Sequence, residues 1–388
     1  MKDQMALFSI VMTSVMFVLW VIICWRMIAP LTVRRSTKIL LAAALLAALV
    51  LYYVTRLFVK EGLPVEVNTT LRWIGYLSLG FISLTIPFLF VKEVLQFGGR
   101  VVGDKKEPVD GARRAFLHNA GNAAVMAAVL PTMAFSIQEA FQKPIVKNNA
   151  LKIAGLHPDL EGTTIAHISD LHVGSILDEK WLNALMSQVG ELRADMFVLT
   201  GDAIDGKVSR VGKELDSLLK FEAPLGKFFV TGNHEFYSGV DGWVEQMRAL
   251  NFTVLNNEHT LIQKGEGKLL LAGVWDYSGE RFGEHYASDP FAAKAGAPEH
   301  DLSILLAHQP KNIFEASRAK FDIQLSGHTH GGQYFPWTYA VHLFQPYVQG
   351  LHQVDDSLLY VNTGTGFWGP PMRFTVPPEI TLHTLTRA

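Results

Sequence analysis

The sequence predicts an α/β domain preceded by membrane-spanning helices. Three observations carry that prediction. Long charge-free apolar runs occupy the first hundred residues. From about residue 150, short apolar runs alternate with helical patterns, which is the order of an α/β fold. Five of those short runs end on carboxylates, imidazoles or an amide, at the strand ends where open α/β sheets bind ligands.

Residues 6–25, 39–55 and 73–91 contain no charged side chain. Apolar runs of about 20 residues match the hydrocarbon thickness of a bilayer. One cleaved leader would not account for the second and third runs, so three membrane helices are predicted. A fourth segment, 116–137, carries His118, Asn119, Asn122 and Pro131; it either spans or lies on the membrane surface. Just before it, Arg113 and Arg114 followed by Phe116 and Leu117 look like an internal twin-arginine signal, or simply a basic flank.

The first loop (Arg26, Arg34, Arg35, Lys38) and the third (Lys92, Arg100, Lys105, Lys106, Arg113, Arg114) are more basic than the second (Arg56, Lys60, Arg72). Basic loops stay in the cytoplasm. With the fourth segment spanning, the expectation is a multi-pass protein of the inner (cytoplasmic) membrane, its C-terminal domain periplasmic or extracytoplasmic. The lipid bilayer is the expected partner, and no obligate protein partner is evident. A transporter is disfavoured, because the runs hold almost no interior ionisable residue.

A net charge of −2 argues against nucleic acid as a partner. Cys24 is the single cysteine, which excludes a disulfide framework or a thiolate metal site within the chain. Any metal is therefore held by nitrogen and oxygen.

The expected division is a membrane region over 1–140, a linker over 141–160 and a catalytic domain over 161–388. Within the last, 163–169 reads as a strand and 179–192 as a helix, with Trp181, Leu182, Leu185, Met186 and Val189 at helical spacing. Then follow a strand over 195–200, a helix over 213–221, a strand over 227–231 and a helix over 244–250. Later strands are predicted at 268–274, 302–307, 322–326, 358–363 and 379–385.

The strand ends deliver the chemistry. Asp170 and His172 follow the first strand, Gly201 and Asp202 the second, and Gly232, Asn233 and His234 the third. His308 follows the strand at 302–307, and His328 and His330 follow the one at 322–326. The glycines before Asp202, Asn233 and His328 suit tight turns with close backbone approach. One Asp-x-His at a strand end is usually a turn feature. Five such blocks in register are not.

The blocks D-x-H, G-D, G-N-H-E, H and G-H-x-H, in this order, resemble the calcineurin-like metallophosphoesterase superfamily, over residues 160 to 388. "GHTHGGQ" and the C-terminal "NTGTGFWGPPMRFTVPPEITLHTL" look like its bacterial branch resembling UDP-2,3-diacylglucosamine pyrophosphatase. The resemblance implies a two-sheet β sandwich flanked by helices, with two divalent metals at the strand ends. It assigns Asp170, His172, Asp202 and His330 to one metal. The second takes Asp202, Asn233, His308 and His328, with Asp202 bridging.

Imidazole and hard oxygen ligands suit manganese first, with iron or zinc as alternatives. Two ions about 3.5–4 Å apart would favour a phosphate ester and turn a bridging water into hydroxide. His234 is assigned to the leaving oxygen or the transition state. Asp205 is expected to orient a ligand histidine. Arg373 is expected either to touch phosphate or to form a structural salt bridge.

The polar stretch 276–300 is a candidate rim. The aromatic stretch 334–352 is a candidate acyl-chain or lipid contact. The expected function is a membrane-anchored dinuclear phosphodiesterase or pyrophosphatase, with a lipid-linked phosphate ester as its substrate. A phosphoprotein phosphatase and a non-catalytic membrane sensor are the rivals.

Overall fold

The computed structural model describes residues 2–57, 65–102 and 111–388. Lys60, Lys105 and Lys106, used above in the loop-charge argument, lie outside them. The chain divides into two compact units, residues 1–139 with 369–374, and residues 140–368 with 375–388.

The first unit is helical: α1 (Lys2–Ile23), α2 (Arg35–Leu57), α3 (Val65–Val102) and α4 (Gly111–Ala140). α1 runs on into a π-helical turn, Cys24–Ile28. Two stretches among the described residues, Glu66–Gly99 and Gly111–Ala140, are long and apolar enough to cross a membrane; the apolar Thr13–Ile28 is shorter. The fourth segment is thus one continuous helix, with Pro131 inside it.

α3 continues past the apolar run and brings charge into the bundle. Lys92 is buried and donates to Asn122 Oδ1 at 2.7 Å, while Glu93 lies 3.3 Å from both Lys92 and Arg26. The expectation of almost no interior ionisable group missed these residues, which begin where the charge-free run stops. The segment 369–374 belongs to this unit: the Arg373 N–H donates to the Ser136 carbonyl, and the Phe374 and Phe135 rings meet edge to face.

The second unit is the predicted β sandwich. Its strands are β1 (Ile145–Ile153), β2 (Thr164–Ile168), β3 (Met196–Leu199), β4 (Lys227–Phe229), β5 (Thr253–Val254), β6 (Glu258–Lys264), β7 (Gly267–Gly273), β8 (Leu302–Leu306), β9 (Ile323–Ser326), β10 (Gly350–Val354), β11 (Ser357–Val361) and β12 (Glu379–Arg387). They form two six-stranded mixed sheets, ordered β1-β12-β2-β3-β4-β5 and β10-β11-β9-β8-β7-β6.

Side-chain alternation builds the layers. Met196 and Val198 of β3 point into a core shared with Ile304 and Leu306 of β8, Ile323 and Leu325. Their neighbours Phe197 and Leu199 face outward onto α5 (Glu179–Glu191) and α6 (Val240–Ala249), through Leu185, Val189, Trp243 and Met247. Leu305 and Ala307 likewise leave the inner core and pack on Ile313 and Ala316 of α7 (Ile313–Arg318). Each sheet thus carries helices on its outer face.

Three readings change. Residues 141–160 are not a free linker, because β1 pairs in parallel along its whole length with β12. The helix expected at 213–221 is a 3₁₀ stretch, Gly212–Lys220. The strands that were not predicted are β1, β5, β6 and β10, and these are the four edges of the two sheets.

Candidate metal centre

Strands β2, β3 and β4 run parallel to one another in one sheet, and β8 and β9 in the other, so within each sheet their C-terminal ends point one way. From β2 come Asp170 and His172, from β3 Asp202, from β4 Asn233 and His234, from β8 His308, and from β9 His328 and His330. Backbone bonds knit these turns together. The N–H of Asp170 donates to Gly201, that of His172 to Asp202 and that of Gly327 to His308.

The turns are strained. Asp170, His172, Asp202, His328 and His330 all have φ between 49° and 72°, the left-handed region that non-glycine residues avoid. In both the D-x-H and H-x-H turns the two functional residues adopt it, which swings alternate side chains toward one point. Such strain persists where a function holds it. The close approach expected of the glycines is realised at Gly327, where a methyl group would collide with Ser169 Oγ and Asp170 Oδ2.

Among the described residues the ligand-type atoms converge in three clusters, Asp170–His172–His330, Asp202–His308–His328 and His172–Asp205–His234, each with its atoms within 4.8 Å of one another. His172 Nε2 is 3.1 Å from His330 Nε2, which in turn is 3.4 Å from Asp170 Oδ1. His308 Nε2 is 3.3 Å from Asp202 Oδ2 and 3.2 Å from His328 Nδ1. Asp202 Oδ2 is also 3.8 Å from His172 Nε2, so it lies between the clusters.

The imidazoles are oriented from behind. His308 donates Nδ1–H to the Thr200 carbonyl at 2.7 Å, which leaves Nε2 as a lone pair toward the centre. Asp205 Oδ1 accepts from His172 Nδ1 at 3.0 Å and from His234 Nδ1 at 2.5 Å. Asp205 thus orients a candidate ligand and the candidate catalytic histidine together.

Whether these residues fit a metal is answered by two atoms. Asp170 Oδ1 and Asn233 Oδ1 are buried and make no hydrogen bond. Orphaned buried oxygens are costly, and the other oxygen of Asp170 already accepts the His328 N–H at 2.9 Å. His172 and His330 also turn nitrogens toward each other, where one cation between them would satisfy both. The donor set is carboxylate, amide oxygen and imidazole, which suits divalent first-row ions.

Charge is strongly coupled here. Burial alone would raise the carboxyl groups of Asp170 and Asp202, but the histidines around them outweigh it and hold both well below the usual range. Burial alone would lower His234, but Asp202 and Asp205 raise it to about 9. Burial raises Glu235 to about 7, helped by Asp202.

Several supporting residues were not singled out in the sequence. Glu235 accepts three backbone N–H groups, from Gly232, Asp202 and Ala203. Gln333 clamps Trp368 through both its N–H and its carbonyl, and the Trp368 ring meets the His234 ring edge to face. Asp276, buried and raised by burial, accepts from Gln309, the neighbour of His308. Glu235 stands in the G-N-H-E block, but a side chain bonded only to backbone leaves no spacing signal. The 276–300 stretch is short turns and a helix, Pro290–Lys294; its Phe282 and Tyr286 pack on Phe236. Arg373 groups with the helical unit.

Comparison with known proteins agrees with this geometry. The model of the calcineurin-like phosphoesterase family matches residues 163–332. A transmembrane protein with metallophosphoesterase domain from Danio rerio is 32% identical over 83% of this chain and 76% of its own length. An uncharacterized metallophosphoesterase of Campylobacter jejuni is 36% identical over 64% of this chain, which spans 65% of that protein. Among solved structures, a 5'-nucleotidase precursor from Thermus thermophilus aligns with a TM-score of 0.37 at 14% identity, over 58% of this chain and 54% of that one.

Proposed function

The chain belongs to the calcineurin-like metallophosphoesterase family, and from that premise we propose that it is a membrane-anchored hydrolase of a phosphodiester or pyrophosphate bond, acting on a lipid-linked substrate. The observation that carries the reading is the pair of unpartnered buried oxygens, Asp170 Oδ1 and Asn233 Oδ1. Asp170, His172 and His330 would hold one divalent ion, and Asn233, His308 and His328 the other, with Asp202 shared. Two bound ions, manganese first, supply Lewis-acid stabilisation of the phosphoryl oxygens and activation of water.

The remaining work falls to the chain's own side chains. Asp205 accepts a hydrogen bond from His234 Nδ1–H, so that Nε2 is turned toward the centre, 4.0 Å from Asp202 Oδ2. From there it delivers a proton or a hydrogen bond to the leaving oxygen. A non-catalytic sensor would have no use for five non-glycine residues held at positive φ. The lipid-linked substrate is supported by the two membrane-length helical stretches and by the aromatic stretch that follows His330. The basic loops favour an extracytoplasmic catalytic domain in the inner membrane.

The test uses the full chain in detergent, stripped with chelator and reloaded with manganese. It compares bis-p-nitrophenyl phosphate, a nucleotide sugar, a lipid phosphodiester and that lipid's water-soluble headgroup. Metal-dependent hydrolysis, fastest on the lipid, is expected. Activity that survives chelation, or no hydrolysis of any ester after reloading, would overturn the reading.

A further inference from the structure

We infer that residues 334–345 form a membrane-inserting lip, which lays Trp337, Tyr339, Leu343 and Phe344 in the headgroup–acyl boundary of a bilayer beside the metal centre. The inference rests on reading the N-terminal helices as a membrane anchor, and it is independent of which ester is cleaved.

The lip grows out of the metal turn and returns to it. It begins four residues after His330. Its far end is fastened where Thr329, the residue between His328 and His330, donates its hydroxyl to the Val348 carbonyl at 2.5 Å. Inside it, the helical turn Trp337–Ala340 runs into a second turn, Val341–Leu343.

Three properties fit this segment to lipid. The first is exposure: Leu343 is 81% exposed, Tyr339 73%, Phe344 70% and Trp337 37%. Single exposed apolar residues are ordinary on a protein surface, but four large ones within eight positions make a patch. The second is charge. No Asp, Glu, Lys or Arg occurs from residue 323 to residue 354, so the patch leaves water without stripping an ion. The third is the backbone. The N–H groups of Thr338, Tyr339, Ala340, Val341, Phe344 and Gln345 all donate to carbonyls within the segment. Lipid offers no replacement for a backbone bond, so only an internally bonded chain enters it cheaply.

The occupant follows from the rest of the chain. Trp and Tyr beside Leu and Phe is the composition of an interfacial anchor. A bilayer is the apolar phase this polypeptide brings with it, through helices of spanning length in the same chain. A lip inserted there would sit next to His330, where a lipid phosphate must arrive.

The test is a depth measurement on the full chain in nanodiscs of phosphatidylcholine and phosphatidylglycerol. Cys24→Ser removes the single cysteine. Spin labels are then placed at Tyr339→Cys and Leu343→Cys. Phe90→Cys in α3 reports on the anchor, and Phe314→Cys, exposed on α7, on the water side. Collisions with oxygen and with a polar nickel chelate are compared. Labels at 339, 343 and 90 are expected to meet oxygen and exclude nickel, with the reverse at 314. Nickel access at 339 and 343 with lipid access at 90 would overturn the lip and leave the anchor intact. Nickel access at 90 would overturn the anchor reading and the lip with it. Exclusion of both reagents at 343 would overturn it in favour of a protein contact.

Discussion

Glu235 Oε2 accepts the backbone N–H of Asp202 at 3.0 Å, and so fastens the turn after β3 to the helix, Asn233–Ser238, that begins after β4. The same carboxyl takes Gly232 N–H at 2.6 Å and Ala203 N–H at 2.9 Å. A buried side chain therefore sets the distance between the candidate bridging ligand, Asp202, and Asn233.

Replacing Glu235 by Ala would orphan three buried N–H groups, at about 1–3 kcal/mol each. The metal-free protein should unfold at markedly lower denaturant, and reloading should fill neither position. Glu235→Gln keeps an acceptor and should lose less. Denaturant melts of the chelated variants, followed by elemental analysis, check this; unchanged melts for Glu235→Ala would refute it.

Asp205 serves two histidines with one oxygen. Asp205→Ala frees the ring of His172 and should weaken metal binding about 10–100-fold, the usual cost of losing such an orienting partner. It also frees His234, so kcat should fall even when metal is saturating. Calorimetric manganese titration together with kcat at saturation separates the two effects. Full activity at saturating metal would show that His234 needs no orientation.

Gly327 has no room for a side chain between Ser169 and Asp170. Gly327→Ala should displace the Asp170 carboxylate and lose the ion assigned to Asp170, His172 and His330 before the other. One metal per chain instead of two is the expected elemental result. Two metals with normal activity would mean that the turns yield more easily than their packing implies.

The centre was legible because its ligands follow buried central strands, whose apolar runs are unmistakable. What escaped were β1, β5, β6 and β10, and each lies at a sheet edge. An edge strand is half solvated and carries polar side chains, so its pattern fades. In β1 the run "IVKNNALKI" reads as polar linker, and its partner β12 lies at the far end of the chain. Residues that act on backbone alone, such as Glu235, were equally invisible, since their partners have no side-chain identity to read.

Behind the metal turns lies a chain of buried imidazoles whose pH response has a definite sign. Asn149 donates to His383 Nδ1 at 3.0 Å, His383 Nε2 meets His167 Nδ1 at 3.2 Å, and His167 Nε2 meets Thr200 Oγ1 at 2.9 Å. The order of donors is fixed by the amide at its start, so each ring carries one proton and is neutral. A second proton on either ring would set two donors face to face. Burial lowers His167 to about 3, and burial with the neighbouring His167 lowers His383 well below its ordinary value. In the unfolded chain both titrate near 6.5. As pH falls below about 6.5 the unfolded chain takes up protons that the folded chain refuses, so stability falls with pH, for His167 down to about 3. Each histidine contributes up to about 1.4 kcal/mol per pH unit in that window. The measurement is a difference, which isolates these two rings: urea melts of the chelated protein against those of its His167→Gln and His383→Gln variants, from pH 7.5 to 5. Each variant should show a shallower loss of stability on acidification than the parent. Parallel curves would mean that these rings take up protons in the folded protein as readily as in the unfolded chain, and that the one-way order of donors is wrong.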